Sequence, residues 1–115
     1  MADERDSVVE ELIAREGELV QRVRELEKQY KIRRENPADP VLRPRAEELL
    51  KLAEELAERV TPIFIDSPMT SLNDAKFGWA VYEIANARLN LIYLLLFGCN
   101  QVAARKDSLV LEALT

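Results

Sequence analysis

Residues 89–99 read LNLIYLLLFGC, with apolar side chains at nine of the eleven positions and Asn90 as the one polar side chain. On a helix, such a run points apolar groups in every direction, so it needs cover all round. Whatever this chain folds into has to supply that cover. Charged residues make up 32% of the 115 positions, and 28 of the 37 lie in residues 1–62. Six of the seven aromatics lie in residues 63–115. The first half reads as a solvated shell and the second as what the shell covers. The length suits one domain with a core of its own. Few glycines and an abundance of Leu, Ala, Glu and Arg mark it as helical.

The periodicity predicts three main helices. Over residues 6–34, Val9, Leu12, Leu19, Val23, Leu26 and Tyr30 recur at spacings of three and four, with Glu16 interrupting the series. That is the narrow seam of a coiled coil. Glu11–Arg15, Glu18–Arg22 and Glu27–Lys31 are favourable i,i+4 pairs expected on the wet side. Asn36-Pro37 stops this helix, and residues 36–44 form a proline-rich connector. Pro40 and Pro44 both suit a first helical turn. A second helix is expected over 44–61, with Ala46, Leu49, Leu50, Ala53, Leu56, Ala57 and Val60 as its apolar stripe and Pro62 at its end. Residues 62–71 read as an apolar connector, with Ile63, Phe64 and Ile65 as a plug beneath it. Ser71 to Asp74 resembles a capping box. A third helix follows over 72–98 or longer, depending on whether Gly98 ends it, and Asp107-Ser108 caps a short C-terminal helix over 108–114.

A membrane span is not expected. A window of the required length, residues 77–99, takes in Glu83, Asn86, Arg88 and Asn90, and each charge costs about 2.5–3.5 kcal/mol on insertion. The run must then be covered by protein. At 1.5 Å per residue the second helix is about 27 Å long and the third about 39–50 Å. Two covering helices leave one side of the third open near its C-terminal end. The expected architecture is therefore all-α: three main helices in an antiparallel bundle plus the short C-terminal helix, completed by another chain, either a second copy or a different helical protein. The expected interface comprises Leu89, Leu91, Ile92, Leu95, Leu96 and Phe97.

Few residues suggest chemistry. Histidine is absent, which removes the commonest general base and metal ligand. Glu83, Asn86, Asn90 and Tyr93 share one helical face, expected first to point to water or loop over its first half and, as the functional alternative, to form a polar pocket or a register-setting strip. Glu47, Glu48, Glu54, Glu55 and Glu58 oppose the apolar stripe of their helix and face solvent, so no metal or other cofactor is expected. The basic cluster from Lys28 to Arg34 suits a helix C-terminus complementing its own dipole. Trp79 and Tyr82, three apart, are core or interface anchors. A net charge of −5 opposes general nucleic-acid binding. The single Cys99 suits a reducing, intracellular compartment, cytoplasmic or nuclear. The opening MADERDS has no apolar stretch behind it, so no secretory signal is expected.

Asp74-Ala75-Lys76, the aromatic-rich helix and Tyr93-Leu94-x-x-x-Gly98 are faintly similar to the nuclear helical family of RNA-exosome cofactors and ribosome-processing factors. The likeness covers about 30 residues, with the spacing displaced by one and CNQVAARKDS where that family has His-Pro after the glycine. It implies a cofactor that wraps its helices around those of a nuclease partner. The residues themselves point to a non-enzymatic helical interaction module: an adaptor, a chaperone-like subunit or a component of a complex. A helical enzyme or ligand-binding bundle using the polar strip is the alternative.

Overall fold

The computed structural model describes residues 2–66 and 72–100. It contains α1 (Ala2–Ile32), α2 (Leu42–Ile65) and α3 (Leu72–Phe97), each packed against the other two. Each helix buries a seam at alternating spacings of three and four, the repeat that keeps a stripe facing its neighbours. The buried seam of α1 is Val9, Leu12, Leu19, Val23, Leu26 and Tyr30; that of α2 is Leu42, Ala46, Leu49, Ala53, Leu56 and Val60. Phe77, Ala80, Ile84, Ala87, Leu91 and Leu94 do the same on α3. Ala46 and Ala53 on α2 and Ala80 and Ala87 on α3 alternate with larger side chains in the buried seams, which lets these two helices pack against each other closely. The acidic face of α2 is exposed throughout, as the pattern predicts.

Contacts between the ends set the helix directions. Arg59, late in α2, reaches Glu11, early in α1, at 3.5 Å. Phe64, at the end of α2, meets Phe77, at the start of α3, with ring centroids 6.5 Å apart. Gly98, just after α3, abuts Glu35 and Pro37, just after α1. Consecutive helices therefore run in opposite directions.

The connector after α1 is built from local polar contacts. Glu35 N–H donates to the Tyr30 carbonyl (2.7 Å) and Arg34 N–H to the Lys31 carbonyl (3.3 Å). This is the paired closure of a Schellman motif, with Arg34 (φ 67°) at the left-handed position usually held by glycine. Asp39 then starts α2. Its Oδ1 accepts the N–H groups of Val41 (2.9 Å) and Leu42 (3.0 Å), and its carbonyl accepts that of Arg43 (2.9 Å). Asp39 thus satisfies N–H groups at the entry to α2, with Pro40 in the turn just before it. The Arg33 guanidinium donates to Asp39 Oδ2 at 2.6 Å and, ahead of the two backbone donors, holds that carboxyl below its ordinary range.

The boundary expected at Pro62 changes. Pro62 does not end α2, which runs through Ile65. Proline removes one intrahelical donor, but its carbonyl still accepts the Asp66 N–H (3.2 Å), and the Thr61 hydroxyl donates to the Ala57 carbonyl (2.7 Å). The expected plug is therefore helix: Ile63 packs against the core, whereas Phe64 and Ile65 are exposed. Glycine ends α3, since Gly98 has φ +74° and its N–H caps the Leu94 carbonyl at 2.9 Å. Ser71 and the expected helix over 108–114 lie outside the described residues.

Candidate functional site

Opposite its buried seam, α3 carries a second series at the same spacings: Ala75, Trp79, Tyr82, Asn86, Leu89, Tyr93 and Leu96. Among the described residues it is left largely uncovered, with only Tyr93 half-buried. Trp79 is 63% exposed, Tyr82 57%, Leu89 42%, Leu96 62% and the adjoining Phe97 47%. The charged residues of α3 are Asp74, Lys76, Glu83 and Arg88, and none belongs to this series. Trp79 and Tyr82 lie with ring centroids 5.3 Å apart, and Tyr93 stacks on Phe97 at 6.0 Å. Aromatic pairs therefore sit towards both ends of an outer face whose middle holds one amide, Asn86. By length and composition, Asp74–Phe97 would also pass as a membrane-crossing helix, although its inner seam is committed to the bundle.

The residues expected at the interface divide accordingly. Leu89, Leu96 and Phe97 are exposed on the outer side, while Ile92 and Leu95 are half-buried. Leu91 is a correction: it is fully buried in the core. It lies seven residues after Ile84 and three before Leu94, a spacing that assigns it to the inner seam. Reading the run as equally apolar all round hid this division. Trp79 and Tyr82 were expected as core or interface anchors; the structure gives them the outer face. Their spacing, extended through Asn86 to Leu89, was the signal that sequence reasoning left unused.

The polar strip splits as well. Glu83, Asn86 and Asn90 border a cleft of about 200 Å³ between α1 and α3, opposite Val20, Val23, Arg24 and Glu27. Tyr93 instead stacks on Phe97. Asn100 Nδ2 donates to Asn90 Oδ1 at 2.8 Å. Glu16, where the α1 seam is interrupted, is half-buried; burial, and then the Glu83 carboxylate, push its carboxyl above the ordinary range. Glu27 belongs to this cleft and not to the wet side expected of it. Burial raises its carboxyl too, against the pull of Arg24 and a hydrogen bond from the Asn100 side chain, and its Oε1 has no hydrogen-bond partner among the described residues. Beyond it, a groove of about 500 Å³ runs between Arg24, Lys28 and Lys31 on one wall and Cys99 and Asn100 on the other. The basic cluster therefore borders this groove with two of its lysines, while Arg33 is held by Asp39.

Among the described residues, no group of three or more Asp, Glu, Cys or His side chains could hold a metal ion. The α2 glutamates stand apart on an exposed face, with Glu47 paired to Arg43 at 3.1 Å. What the chain presents is therefore an exposed apolar face and, beside it, a polar cleft. Comparison with protein-family models, with curated proteins and with solved structures found no match.

Proposed function

We propose that this chain is a non-enzymatic helical interaction module, an adaptor or complex subunit that works through the outer face of α3. The observation that carries this reading is the uncharged series from Trp79 to Leu96, with four of its large side chains about half exposed or more. Leaving one such side chain in water forgoes roughly 1.5–3 kcal/mol of burial, so several in one stripe give a strong drive to associate. Trp and Tyr are also the residues that most often dominate contact energies. A charged pair, Trp79→Lys with Leu96→Lys, should leave the bundle folded because neither side chain belongs to its core. Tagged native chain should recover a defined protein from an extract of its source cells, and the variant should lose it. Equal recovery by both chains would reject the face as the working surface.

A second reading rests on the polar cleft. Among the described residues Glu27 Oε1 is buried without a hydrogen-bond partner, although Asn100 bonds to the same carboxyl, and Glu83, Asn86 and Asn90 line the same cleft. This supports a small polar ligand held between α1 and α3. Such a ligand would raise the melting temperature of the native chain and not of Glu83→Ala. A panel of divalent metals and nucleotides producing no shift would remove that reading.

A further inference from the structure

We propose that the partner on the outer face of α3 is a second copy of this chain, docked antiparallel about a two-fold axis at Asn86. This rests on the interaction-module reading and adds the identity of the occupant. Three observations carry it.

The first is the pattern of the face. Trp79, Tyr82, Asn86, Leu89, Tyr93 and Leu96 repeat at three and four, the spacing by which one helix interlocks with another of like kind. Asn86 stands at the middle of the described face, seven residues from Trp79 and from Tyr93. Folding the face on itself about Asn86 sets Trp79 against Tyr93 of the other copy and Tyr82 near Leu89. Asn86 then meets its own symmetry mate. A primary amide is self-complementary: each NH₂ donates to the other's carbonyl, so the one amide in the stripe is satisfied by pairing with itself. A lone asparagine in such a seam fixes register and partner number.

The second is charge. The chain carries a net charge of −5, and α2 presents an exposed row of glutamates. Two copies repel each other across most of their surfaces, and the α3 stripe is a face on which they meet without opposing like charges. The same acidity disfavours an anionic membrane surface.

The third is area. The exposed fractions of Trp79, Tyr82, Leu89, Leu96 and Phe97 amount to on the order of 500 Å² per copy, taking 150–250 Å² for a large side chain. Complete burial of these side chains in two copies would remove about 1,000 Å² from water, the lower bound for a biological interface, to which the rest of the two faces adds.

The test is sedimentation equilibrium of the full chain from about 1 to 300 µM. The expected result is twice the 13.2 kDa monomer mass at the upper end. Leu89→Glu should remain monomeric at every concentration with unchanged helical circular dichroism. In a Cys99→Ser background, Asn86→Cys should form an intermolecular disulfide under mild oxidant, and Glu47→Cys on the exposed face of α2 should not. Several outcomes overturn the proposal. One is a dimer indifferent to Leu89→Glu. Another is a monomer that dimerises only with Leu111→Glu and Leu114→Glu, because the chain's own last residues would then hold the face. A monomer that binds phosphatidylcholine vesicles with a blue shift of Trp79 emission assigns the face to lipid. A plain monomer whose face binds a hydrophobic dye, with the dye lost in Leu89→Glu, rejects the second copy but leaves the interaction module standing. A monomer that binds no dye rejects both.

Discussion

Gly98 shows how a single position can control where two elements meet. Its φ of +74° costs a residue with a side chain about 1 kcal/mol or more. A Cβ there would also collide with the Glu35 carbonyl and lie 2.9 Å from Pro37 N, backbone atoms that cannot swing aside. Overpacking of that kind adds about 1–3 kcal/mol. Gly98→Ala should therefore lower unfolding free energy by about 2–4 kcal/mol in urea titration, and a loss below 1 kcal/mol would show that α3 and the connector are not held together here. Arg34 is the opposite case, because it holds the left-handed place of the Schellman motif without being glycine. Arg34→Gly should raise stability by about 0.5–1 kcal/mol, the relief of strain less the extra freedom of the unfolded chain. Both effects were only half legible in the sequence. A glycine after a long apolar run suggests a helix end, and the structure places one there. That the connector's backbone presses against it is a tertiary fact with no local signature, and the strain at Arg34 is likewise invisible without φ.

At the scale of elements, the buried seams were readable because burial selects one side chain in three or four, and the sequence records that choice directly. The seam expected on α1 is the seam observed, including the break at Glu16. Boundaries were less legible. Pro62 looks like a stop because it lacks a donor, but packing of Ile63 against the core outweighs one missing hydrogen bond. The wet side was misjudged where two helices share a cleft: Glu27 follows an i,i+4 pattern with Lys31, yet α3 half-covers it. Glu16 and Glu27 have consequences for pH. Both carboxyls are raised above 4.5, so the folded chain binds their protons more tightly than the unfolded chain. Their contribution is complete below the unfolded value and is lost as pH rises through the folded values. Asp39 opposes them: its carboxyl is lowered from 3.8, so its contribution is present above that value and lost as pH falls through the folded one. Stability should rise as pH falls from 7 towards 4.5 and fall again in stronger acid. Glu16→Leu should raise stability at pH 7 by about 1 kcal/mol, by extending the seam, and should flatten the rise on acidification. Urea midpoints at pH 7, 5.5 and 4.5 compare the two chains directly, and an unchanged slope would mean that Glu16 is not held off its ordinary titration.

For the whole molecule, the decisive quantity is how the three helices divide apolar surface between the bundle's interior and its exterior. α3 has two stripes half a turn apart, and α1 and α2 can face only one of them. The inner stripe is used within the chain, so under the proposed function folding and association draw on different side chains of one helix. The two processes should separate under mutation: changes at Ile84 or Leu91 act on folding, while changes at Tyr82 or Leu89 act on association. If the outer stripe pairs two copies, unfolding involves dissociation, and the melting temperature must depend on protein concentration. Each tenfold increase adds about 1.4 kcal/mol to the stability of the dimer, a rise of several degrees for a domain of this size. Native chain measured from about 5 to 500 µM should show that climb. Tyr82→Glu should melt at one temperature across the range, equal to or below that of the native chain at its most dilute. A native melting temperature independent of concentration would mean that the outer stripe takes no part in the stability of a homodimer.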